Sequence, residues 1–419
     1  MTKTTQRVSV AIGRELHPVG ELLFESDGRR QTSAFRYRVE WLDHPGAFPI
    51  APTMPLVDYP FYAAASRENP RSALPPPVDD GAPDSWGRGL IRKARTGWLT
   101  ELDFLLNADD ITRQGALRYL DSEGRPVSSA KPPIPRLTEL RDVNRLAGAD
   151  PDSLTAEERE RLLGSAGSLG GARPKANVLD DRSMLMIAKF TTVHDTTPIE
   201  RVEVATLRLA RAAGINAATA RLELAQTSAP VALIERFDRH GAMPDADRVP
   251  YLSARSFVGA ETATGAFYTD IADALRAHAH DVQKDIEELF RRMLFTILVS
   301  NNDNHLKNLG LLHVGRGLWS LAPAFDINPQ PARQRHLETG VSELSGNAAS
   351  IEAAIEAAPF FDIKRDHACQ MLAQMVSVIE SQWRGHCRAA GLTAGGIRQY
   401  EGAFEHEETR TAKHLCGVP

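Results

Sequence analysis

The densest run of polar residues in the chain is V-S-N-N-D-N-H-L-K-N-L-G-L-L at 299–312, directly after a long apolar segment. Asp303 and Asn308 stand five residues apart in this run. This D-x-x-x-x-N spacing is typical of a kinase catalytic loop, in which the Asp accepts the proton of the acceptor hydroxyl and the Asn binds magnesium. A helix cap or turn needs only one or two such residues, so the pattern favours a catalytic loop over a simple capping turn.

A second carboxylate follows at the distance that such a site requires. Residues 309–314 and 318–322 have the apolar character of two strands, joined by a G-R-G turn at 315–317, and Asp326 comes directly after them. Carboxylate and amide oxygens suit Mg²⁺, a hard ion that also keeps water and phosphate oxygens as ligands. The sequence therefore predicts Asn308 and Asp326 as magnesium ligands and ATP as the phosphate donor.

A glycine-rich stretch, G-S-A-G-S-L-G-G-A-R-P-K at 164–175, lies upstream of this region. Glycines allow backbone N–H groups to approach an anion closely. The stretch is not a P-loop, because Lys175 is followed by alanine rather than Ser or Thr. By itself it predicts a phosphate-binding loop and a flexible surface loop equally well.

A lone lysine, Lys189, stands in the apolar strand-like run M-L-M-I-A-K-F at 184–190. A lysine buried in such a strand requires an anionic partner. Glu203, on the next predicted helix, is a candidate for the Lys–Glu pair that positions ATP phosphates in kinases. The alternative is an edge strand from which Lys189 extends its ammonium group to solvent.

The elements that must position these residues change in character along the chain. Residues 8–12, 20–24 and 35–41 have the pattern of short strands, and a helix is expected from Asp84 or Ser85. A loop leading into a polar helix is predicted for 121–160, a helix for 199–213 ending at Gly214, and a strand for 231–234. After Arg239 we expect helices, including an apolar stripe at 286–297.

This order predicts an α+β, kinase-like two-lobe fold with a β-rich and mixed N-terminal lobe and an all-helical C-terminal lobe. We expect a β-rich subdomain at 1–110, a mixed α/β nucleotide-binding lobe with the glycine-rich loop at 111–239, and a helical catalytic lobe at 240–419. A cleft between two lobes is a common place for a ligand.

The composition of the 419 residues is that of a globular protein, with 42% hydrophobic and 25% charged residues and a formal net charge of −5. This charge gives no general reason to coat nucleic acid or an anionic membrane. With no signal-peptide pattern and no long apolar run, we expect a soluble, cytoplasmic protein. Three cysteines each have a histidine within two residues, but without a C-x-x-C pair ordinary helix residues are favoured over a structural zinc site: Cys369, Cys387, Cys416, His367, His386 and His414.

Five segments in order resemble the successive motifs of the HipA family, the bacterial serine/threonine kinase toxins of type II toxin–antitoxin systems. They are S-L-G-G-A-R-P-K (168–175), M-I-A-K-F (186–190), L-I-E-R-F-D-R (233–239), N-D-N-H-L-K-N (302–308) and P-A-F-D-I-N-P (323–329). The resemblance covers about residues 160–330 and, less sharply, the N-terminal segment.

The resemblance implies roles for individual residues. Asp303 becomes the catalytic base, Asn308 and Asp326 the magnesium ligands, and Lys189 the phosphate-binding lysine. His305 and Lys307 match the family loop, where Lys307 either stabilises the transferring phosphate or braces the loop. The further expected ATP-binding residues are Glu203, the hinge residues Glu235, Arg236 and Phe237, and Ser168, Gly170, Gly171, Ala172 and Lys175 of the glycine-rich loop. Ser168 also becomes the autophosphorylation site, with Ser165 as the alternative. From their types alone, Glu235 and Asp238 would be surface charges paired with Arg236 and Arg239.

The resemblance also implies partners. These are a small helix-turn-helix antitoxin similar to HipB and a protein substrate such as an aminoacyl-tRNA synthetase, often glutamyl-tRNA synthetase. DNA would be contacted only through the antitoxin, and no membrane is involved. Two other functions stay open: a small-molecule or lipid kinase of the phosphoinositide-kinase type, and a non-catalytic kinase-fold binding protein or co-repressor. The presence of Asp303, Asn308, Asp326 and Lys189 argues against the second.

Overall fold

The structure, a computed structural model, describes residues 3–66, 72–127, 134–150, 152–166, 171–192, 195, 199–331 and 335–417. The chain forms two compact units, each made of two stretches. The first unit is Met1–Val193 with Glu235–Leu252, and the second is His194–Ile234 with Ser253–Pro419. The predicted three-part division at residues 110 and 239 stays a prediction, because compactness separates only these two units.

The first unit begins with an antiparallel five-stranded sheet in the order β4-β3-β2-β1-β5. Its strands are β1 (Thr4–Ile12), β2 (His17–Ser26), β3 (Arg30–Tyr37), β4 (Phe61–Ser66) and β5 (Leu117–Leu120). The first two strands were expected, but the prediction of a strand through residue 41 was wrong. The chain turns into helix α1 (Val39–Leu42) because this turn buries Trp41, whose indole N–H donates to the Phe48 carbonyl at 3.3 Å.

Five further helices and a hairpin belong to the same unit. They are α2 (Pro76–Asp79), α3 (Ser85–Ala94), α4 (Glu101–Asn107), α5 (Leu140–Gly148) and α6 (Ala156–Ala166), followed by the antiparallel strands β6 (Lys175–Leu179) and β7 (Leu185–Phe190). The start of α3 next to Asp84 was expected. The expected loop leading into a polar helix at 121–160 corresponds to the stretch before α5, and α5 buries Leu140, Val143 and Leu146 as a stripe at helical spacing.

The next elements are α7 (Ile199–Ala212), the antiparallel pair β8 (Ala220–Glu223) and β9 (Val231–Glu235), and the short strands β10 (Arg239–His240), β11 (Asp247–Arg248) and β12 (Tyr251–Ser253). Gly214 follows α7 at φ 84°, as its predicted role in ending the helix requires. Helices were expected directly after Arg239, but β10 to β12 occupy this stretch and the next helix begins at Ala254.

The rest of the second unit is mainly helical. It comprises α8 (Ala254–Val258), α9 (Tyr268–His278), α10 (Val282–Leu298), the hairpin β13 (Gly310–Gly315) and β14 (Leu318–Leu321), and then α11 (Ile351–Glu356), α12 (Arg365–Ala389), α13 (Ala394–Phe404) and α14 (Glu407–Cys416). The predicted stripe on α10 is fully buried, and the hairpin turns at Arg316 as expected. The α+β fold class is confirmed. None of the described helices is long and apolar enough to cross a bilayer.

Candidate active site

The polar loop at 301–308 starts from a firmly held helix end. Ser300, just after α10, has a left-handed backbone (φ 52°), and its hydroxyl donates to the Ala403 carbonyl at 3.0 Å. Arg335 Nε donates to the same hydroxyl at 3.0 Å. His406 Nε2 contacts the carbonyl of Leu298, two residues before Ser300, at 3.0 Å. Burial lowers the pKa of His406 to about 4, so the neutral ring donates this hydrogen bond. Helices α13 and α14 thus support the base of the loop.

The loop closes on itself through one amide. Asn308 Nδ2 donates to the backbone carbonyl of Asp303 at 2.8 Å, which brings together the two residues singled out by their spacing. Between them the chain makes a 3₁₀ turn over Leu306–Asn308, and Leu306 is fully buried. The N–H of Leu306 donates to the Ala263 carbonyl at 2.8 Å. The buried leucine therefore anchors the turn that presents both polar residues.

A second asparagine holds the loop against a separate segment of the chain. The sequence reasoning did not single it out. Asn304 is buried, and its Nδ2 donates to the Thr339 carbonyl at 3.0 Å while its Oδ1 accepts from the Glu338 N–H at 2.8 Å. These two bonds tie the loop to residues 338–339 on a separate segment. The excess of polar residues in 301–308 was the available signal, but it did not reveal which side chains point inward.

Asp303 has the environment of a proton acceptor. Its side chain is 57% exposed, and His305 Nε2 lies 3.9 Å from Asp303 Oδ1. Partial burial raises the pKa of the Asp303 carboxyl; the His305 charge lowers it, and the carboxylates of Asp326 and Glu338 raise it further. The net result is a pKa above the ordinary value of an aspartate. Such a carboxylate is accessible and more basic than a typical surface Asp, which suits general-base chemistry.

The aspartate after the hairpin is connected to the same loop. Asp326 has a left-handed backbone (φ 55°), an uncommon conformation for a residue other than glycine. Its Oδ1 accepts from Asn328 Nδ2 at 2.8 Å, and the Asn328 N–H donates to Asn301 Oδ1 at 3.1 Å. Asn301 and Asn328 therefore hold this segment and the loop together, and sequence reasoning missed both.

The predicted magnesium ligands have suitable chemistry. The Asn308 amide nitrogen is used within the loop, which leaves its carbonyl oxygen as a possible ligand. Asp303 and Asp326 are close enough for each charge to affect the other, and a cation would relieve this repulsion. No cluster of three His, Cys, Asp or Glu suited to a metal occurs among the described residues. Mg²⁺ does not require one, because it binds through one or two carboxylates together with phosphate oxygens.

Two predicted phosphate-binding lysines, both in the first unit, face each other. Lys175 on β6 and Lys189 on β7 are directly opposite in the strand register, and they are 7% and 8% exposed. Opposite residues share one face of an antiparallel pair, where two like charges are unfavourable. The burial of Lys189 rules out its extension to solvent. Glu203 is buried on α7 in the second unit, and its pairing with Lys189 stays a prediction.

The glycine-rich loop is only partly described, since Ser168 and Gly170 lie outside the described residues. Ser165 belongs to α6, is buried, and its hydroxyl donates to the Leu162 carbonyl at 3.1 Å. It is therefore poorly placed for modification. Gly171 donates its N–H to Asp84 Oδ2 at 3.0 Å, and its carbonyl accepts from the Trp86 N–H at 3.2 Å. The Gly171 N–H is thus used to dock the loop on α3, whereas Ala172 is exposed.

The side chain of Arg236, whose backbone is expected at the adenine, is part of the protein interior. Its Nε and Nη2 donate to the two oxygens of Asp238 at 2.7 and 2.6 Å. Its Nη1 donates to the Thr112 carbonyl and to Asn177 Oδ1, both at 2.8 Å. These bonds occupy the guanidinium, and the hinge role of the Arg236 backbone stays a prediction. Glu235 is exposed and Phe237 is half-buried, and the hinge role of their backbone stays a prediction.

Asp238 is the centre of this arginine–aspartate cluster (Arg236, Asp238 and Arg239) rather than the surface charge that was expected. Asp238 Oδ2 also accepts from the Gly115 N–H at 2.7 Å and from Arg239 Nη1 at 2.8 Å. Burial alone would raise the pKa of Asp238, but the Arg236 and Arg239 guanidinium groups hold it well below the ordinary range. The segment L-I-E-R-F-D-R thus ties residues 112–115 to the end of β9 within the first unit.

Comparisons with known proteins bear on both parts of the chain. The family model of the HipA N-terminal domain matches residues 10–108, and that of the HipA-like C-terminal domain matches residues 167–383. A Sinorhizobium fredii protein named "Putative kinase Y4mE" is 27% identical over 317 residues, which are 70% of this chain and 71% of that protein. A Haemophilus influenzae protein named "Putative kinase" is 30% identical over 77 residues, 18% of this chain and 22% of that protein.

A solved structure shares the fold. The HipA chain of the Shewanella oneidensis MR-1 toxin–antitoxin system, in complex with HipB and operator DNA, aligns with 98% of this chain and 100% of its own at a TM-score of 0.72. The identity is 14%, so the likeness establishes the fold alone. The C-terminal domain model covers more than half of the sequence, and the chain therefore belongs to the HipA family.

Proposed function

We propose that the protein is an ATP- and Mg²⁺-dependent serine/threonine protein kinase that acts as a toxin. The observation that carries this proposal is the exposed Asp303 carboxylate, which has a raised pKa and lies within electrostatic reach of Asp326, on a residue whose backbone carbonyl accepts from the Asn308 amide. Phosphoryl transfer needs little covalent chemistry from a protein, so positioning and charge supply most of the catalysis. A basic carboxylate beside oxygen ligands for a metal is the arrangement that this reaction needs.

Each residue of the site has a distinct proposed role. Asp303 accepts the proton of the attacking hydroxyl, and the Asn308 bond to its backbone holds it in place. Asn308 Oδ1 and Asp326 hold the metal, which when bound neutralises charge on the ATP phosphates. Lys175 and Lys189 supply positive charge for the phosphates, and the backbone of residues 235–237 receives the adenine.

The wider biological role rests on the relatives. Two relatives are named as kinases, and the solved HipA is part of a toxin–antitoxin system together with HipB and operator DNA. By analogy we propose a helix-turn-helix antitoxin partner, DNA contact through that antitoxin, and action in the cytoplasm. An aminoacyl-tRNA synthetase such as glutamyl-tRNA synthetase is the proposed target. By the same analogy Ser168 is the proposed autophosphorylation site. Its phosphate would switch the kinase off, because it adds about −1.5 to −2 charge to a loop that would contact ATP phosphates.

The direct test is incubation of the full chain with labelled ATP, Mg²⁺ and bacterial lysate, in parallel with Asp303→Ala. Glu343→Gln is the matched control, because Glu343 is an exposed carboxylate of the same unit outside the loop. We expect label on protein serine or threonine with wild type and control, and none with Asp303→Ala. Label found only in lipid or small-molecule fractions would replace the protein-kinase proposal with the alternative kinase class, and no label at all would favour a non-catalytic protein.

The toxin role and the autophosphorylation need separate measurements. Induction in a heterologous bacterium should arrest growth with wild type and not with Asp303→Ala; equal growth of the two strains would remove the toxin role. Mass spectrometry after incubation with ATP should find phosphate on Ser168 of wild type alone. An unmodified Ser168 in an active preparation would contradict the proposed switch.

A further inference from the structure

A second pocket, of about 420 Å³, opens in the second unit at some distance in sequence from the catalytic loop. Three arginines line it, Arg201 and Arg208 from α7 and Arg221 from β8, together with the end of α12 at residues 389–391. The first pocket adjoins the polar loop at 301–308 and is lined by Tyr268, Asn304 and Asn308 among others, and the two pockets share no lining residue. Its size lies within the range of about 300–1,000 Å³ that small-molecule sites occupy.

The charges around this arginine pocket are predominantly positive. Its lining contains no aspartate or glutamate. The nearby carboxylate of Glu223 accepts from Arg221 Nε at 3.1 Å and compensates one of the three positive charges. Arg208 forms no ion pair with any acid in the described part of the chain, and its charge contributes to the lowered pKa of His386, after burial. Two positive charges are therefore left without a carboxylate.

The floor of the pocket is rigid. Arg201 is only 9% exposed, and its Nη1 and Nη2 donate to the Ala390 and Ala225 carbonyls at 2.8 and 2.6 Å. Gly391 has a φ of 83°, and a Cβ at this position would collide with Arg201 Nη1. The glycine thus permits the buried guanidinium to lie against the chain. Because both terminal nitrogens of Arg201 already bond carbonyls, Arg201 contributes a positive charge at a fixed position. Arg208 and Arg221 are the side chains that can adjust to a ligand.

We propose that the arginine pocket binds a polyphosphate anion, meaning two or more linked phosphates, either as the inorganic ion or as part of a nucleotide. Arginine presents a planar fork of N–H donors that matches phosphate oxygens in a bidentate manner. Arg208 and Arg221 would each donate hydrogen bonds to a phosphate, and the fixed charge of Arg201 favours an anion of more than one charge. This binding site does not depend on the proposed kinase activity.

The test is calorimetric titration of the full chain with inorganic pyrophosphate and, separately, triphosphate, in EDTA and at constant ionic strength. The variants are Arg208→Ala, Arg221→Ala and the double variant. Arg211→Ala is the control, because Arg211 is on the same helix but its guanidinium donates to the Ala217 carbonyl and to Thr219 Oγ1. Lys189→Ala separates this binding from any at the proposed ATP site.

We expect one saturable equivalent that is at least about tenfold weaker in the double variant, as the loss of charge-assisted bonds implies. Arg211→Ala and Lys189→Ala should retain this equivalent. ATP in place of triphosphate distinguishes the sources, since equal affinity indicates recognition of the phosphates alone and tighter binding indicates a nucleotide.

Unchanged affinity in the double variant would overturn the site, as would equal weakening by Arg211→Ala or a response to all anions that never saturates. If Arg208→Ala does not fold, Arg208→Lys retains the charge without the fork. It should weaken binding several-fold, and full affinity in this variant would also contradict the proposal.

Discussion

The arginine–aspartate cluster and the catalytic loop are both short polar segments beside apolar elements, yet their carboxylates have opposite surroundings. Asp238 is fully buried and receives hydrogen bonds from two guanidinium groups and from the Gly115 N–H. In the loop, asparagines form the internal bonds and the Asp303 carboxylate stays largely exposed. In the cluster the aspartate carboxylate itself accepts the structural hydrogen bonds. In the loop the asparagine amides form these bonds, and the Asp303 carboxylate remains accessible.

The pKa shifts follow the same division. That of Asp238 is lowered, because the guanidinium charges outweigh the effect of burial, and that of Asp303 is raised, because burial and two carboxylates outweigh His305. A lowered pKa means that ionisation stabilises the fold, and a raised pKa means that ionisation costs stability. We therefore expect these two aspartates to differ in role, Asp238 in structure and Asp303 in the proposed chemistry, and substitution should separate the two roles.

The largest expected effect is on catalysis. Asp303→Asn should reduce the rate of phosphoryl transfer by about 10²–10⁴-fold, the usual contribution of a general base. Its Tm should not fall, because removal of a carboxylate with a raised pKa removes no favourable charge. Single-turnover kinetics and thermal unfolding of the same preparation measure both quantities. Near-normal activity would remove Asp303 from the role of base.

The next effect is on stability. Asp238→Ala should lower the free energy of unfolding by about 3–5 kcal/mol, because two buried guanidinium groups lose their counter-ion. Asp142→Ala is the control, since Asp142 is a half-exposed partner of Arg145 and Arg161, and an exposed pair contributes about 0–1 kcal/mol. Urea unfolding measures the difference, and equal losses in the two variants would contradict the structural role of the cluster.

The stability contribution of Asp238 also has a predictable pH dependence. A carboxyl with a lowered pKa contributes fully above its unfolded value of about 3.9, and this contribution declines as the pH falls toward the folded pKa. The difference between wild type and Asp238→Ala should therefore be constant from neutral pH down to about pH 5. A difference that disappears between pH 7 and 5 would point to another titrating group.

A smaller loss of stability is expected from substitution of Asn304, which anchors the loop. Asn304→Ala should cost about 1–3 kcal/mol, because the buried Thr339 carbonyl and Glu338 N–H lose their partners. Since the loop loses its anchor, activity should fall even at temperatures where the variant is fully folded. Asn347→Ala is the control for the segment that receives these bonds, because its Nδ2 donates to the Leu337 and Glu338 carbonyls at 2.7 and 3.2 Å without contacting the loop itself. Activity equal to that of the control would make Asn304 purely structural.

The smallest expected effect is a shift in the pH dependence of the reaction rate. His305→Gln should move the acidic limb of the pH–rate profile upward, because protonated His305 lowers the pKa of Asp303 and glutamine cannot. Asp303 must be ionised to accept a proton, so the variant requires a higher pH for half-maximal activity. The measurement is kcat against pH at saturating ATP. A limb that moves downward or stays in place would show that another group sets it.

The sequence identified elements with strong local periodicity and spacing. The buried stripe of α10, the β13–β14 hairpin and the strand that contains Lys189 were all expected, because their apolar patterns are continuous. A helix within 121–160 was expected without bounds, because the stripe of α5 is embedded in a stretch rich in Pro, Asp and Arg. The segment after Arg239 was assigned to helices because three very short strands give no clear alternation.

Within the site, chemistry-bearing residues were easier to predict than those that hold them. The spacing of Asp303 and Asn308 is visible in the sequence, and the structure brings the two together. Asn301 and Asn304 lie in the same run, but the sequence does not show which amides face inward. The sequence does not indicate the partners of the Arg236 side chain, and only the three-dimensional structure reveals its contacts with Thr112 and Asn177.

The support beneath the loop has a consequence for synthesis of the protein. Ser300 bonds to Ala403 across 103 residues of sequence, and Leu298 to His406 across 108. The loop residues therefore leave the ribosome well before the helices that hold them have been made, since domains fold from the N-terminus as synthesis proceeds. Until α13 and α14 dock, Ser300 lacks the bond that fixes its left-handed turn. The geometry of the loop can thus form only after residues 403 and 406 have been made.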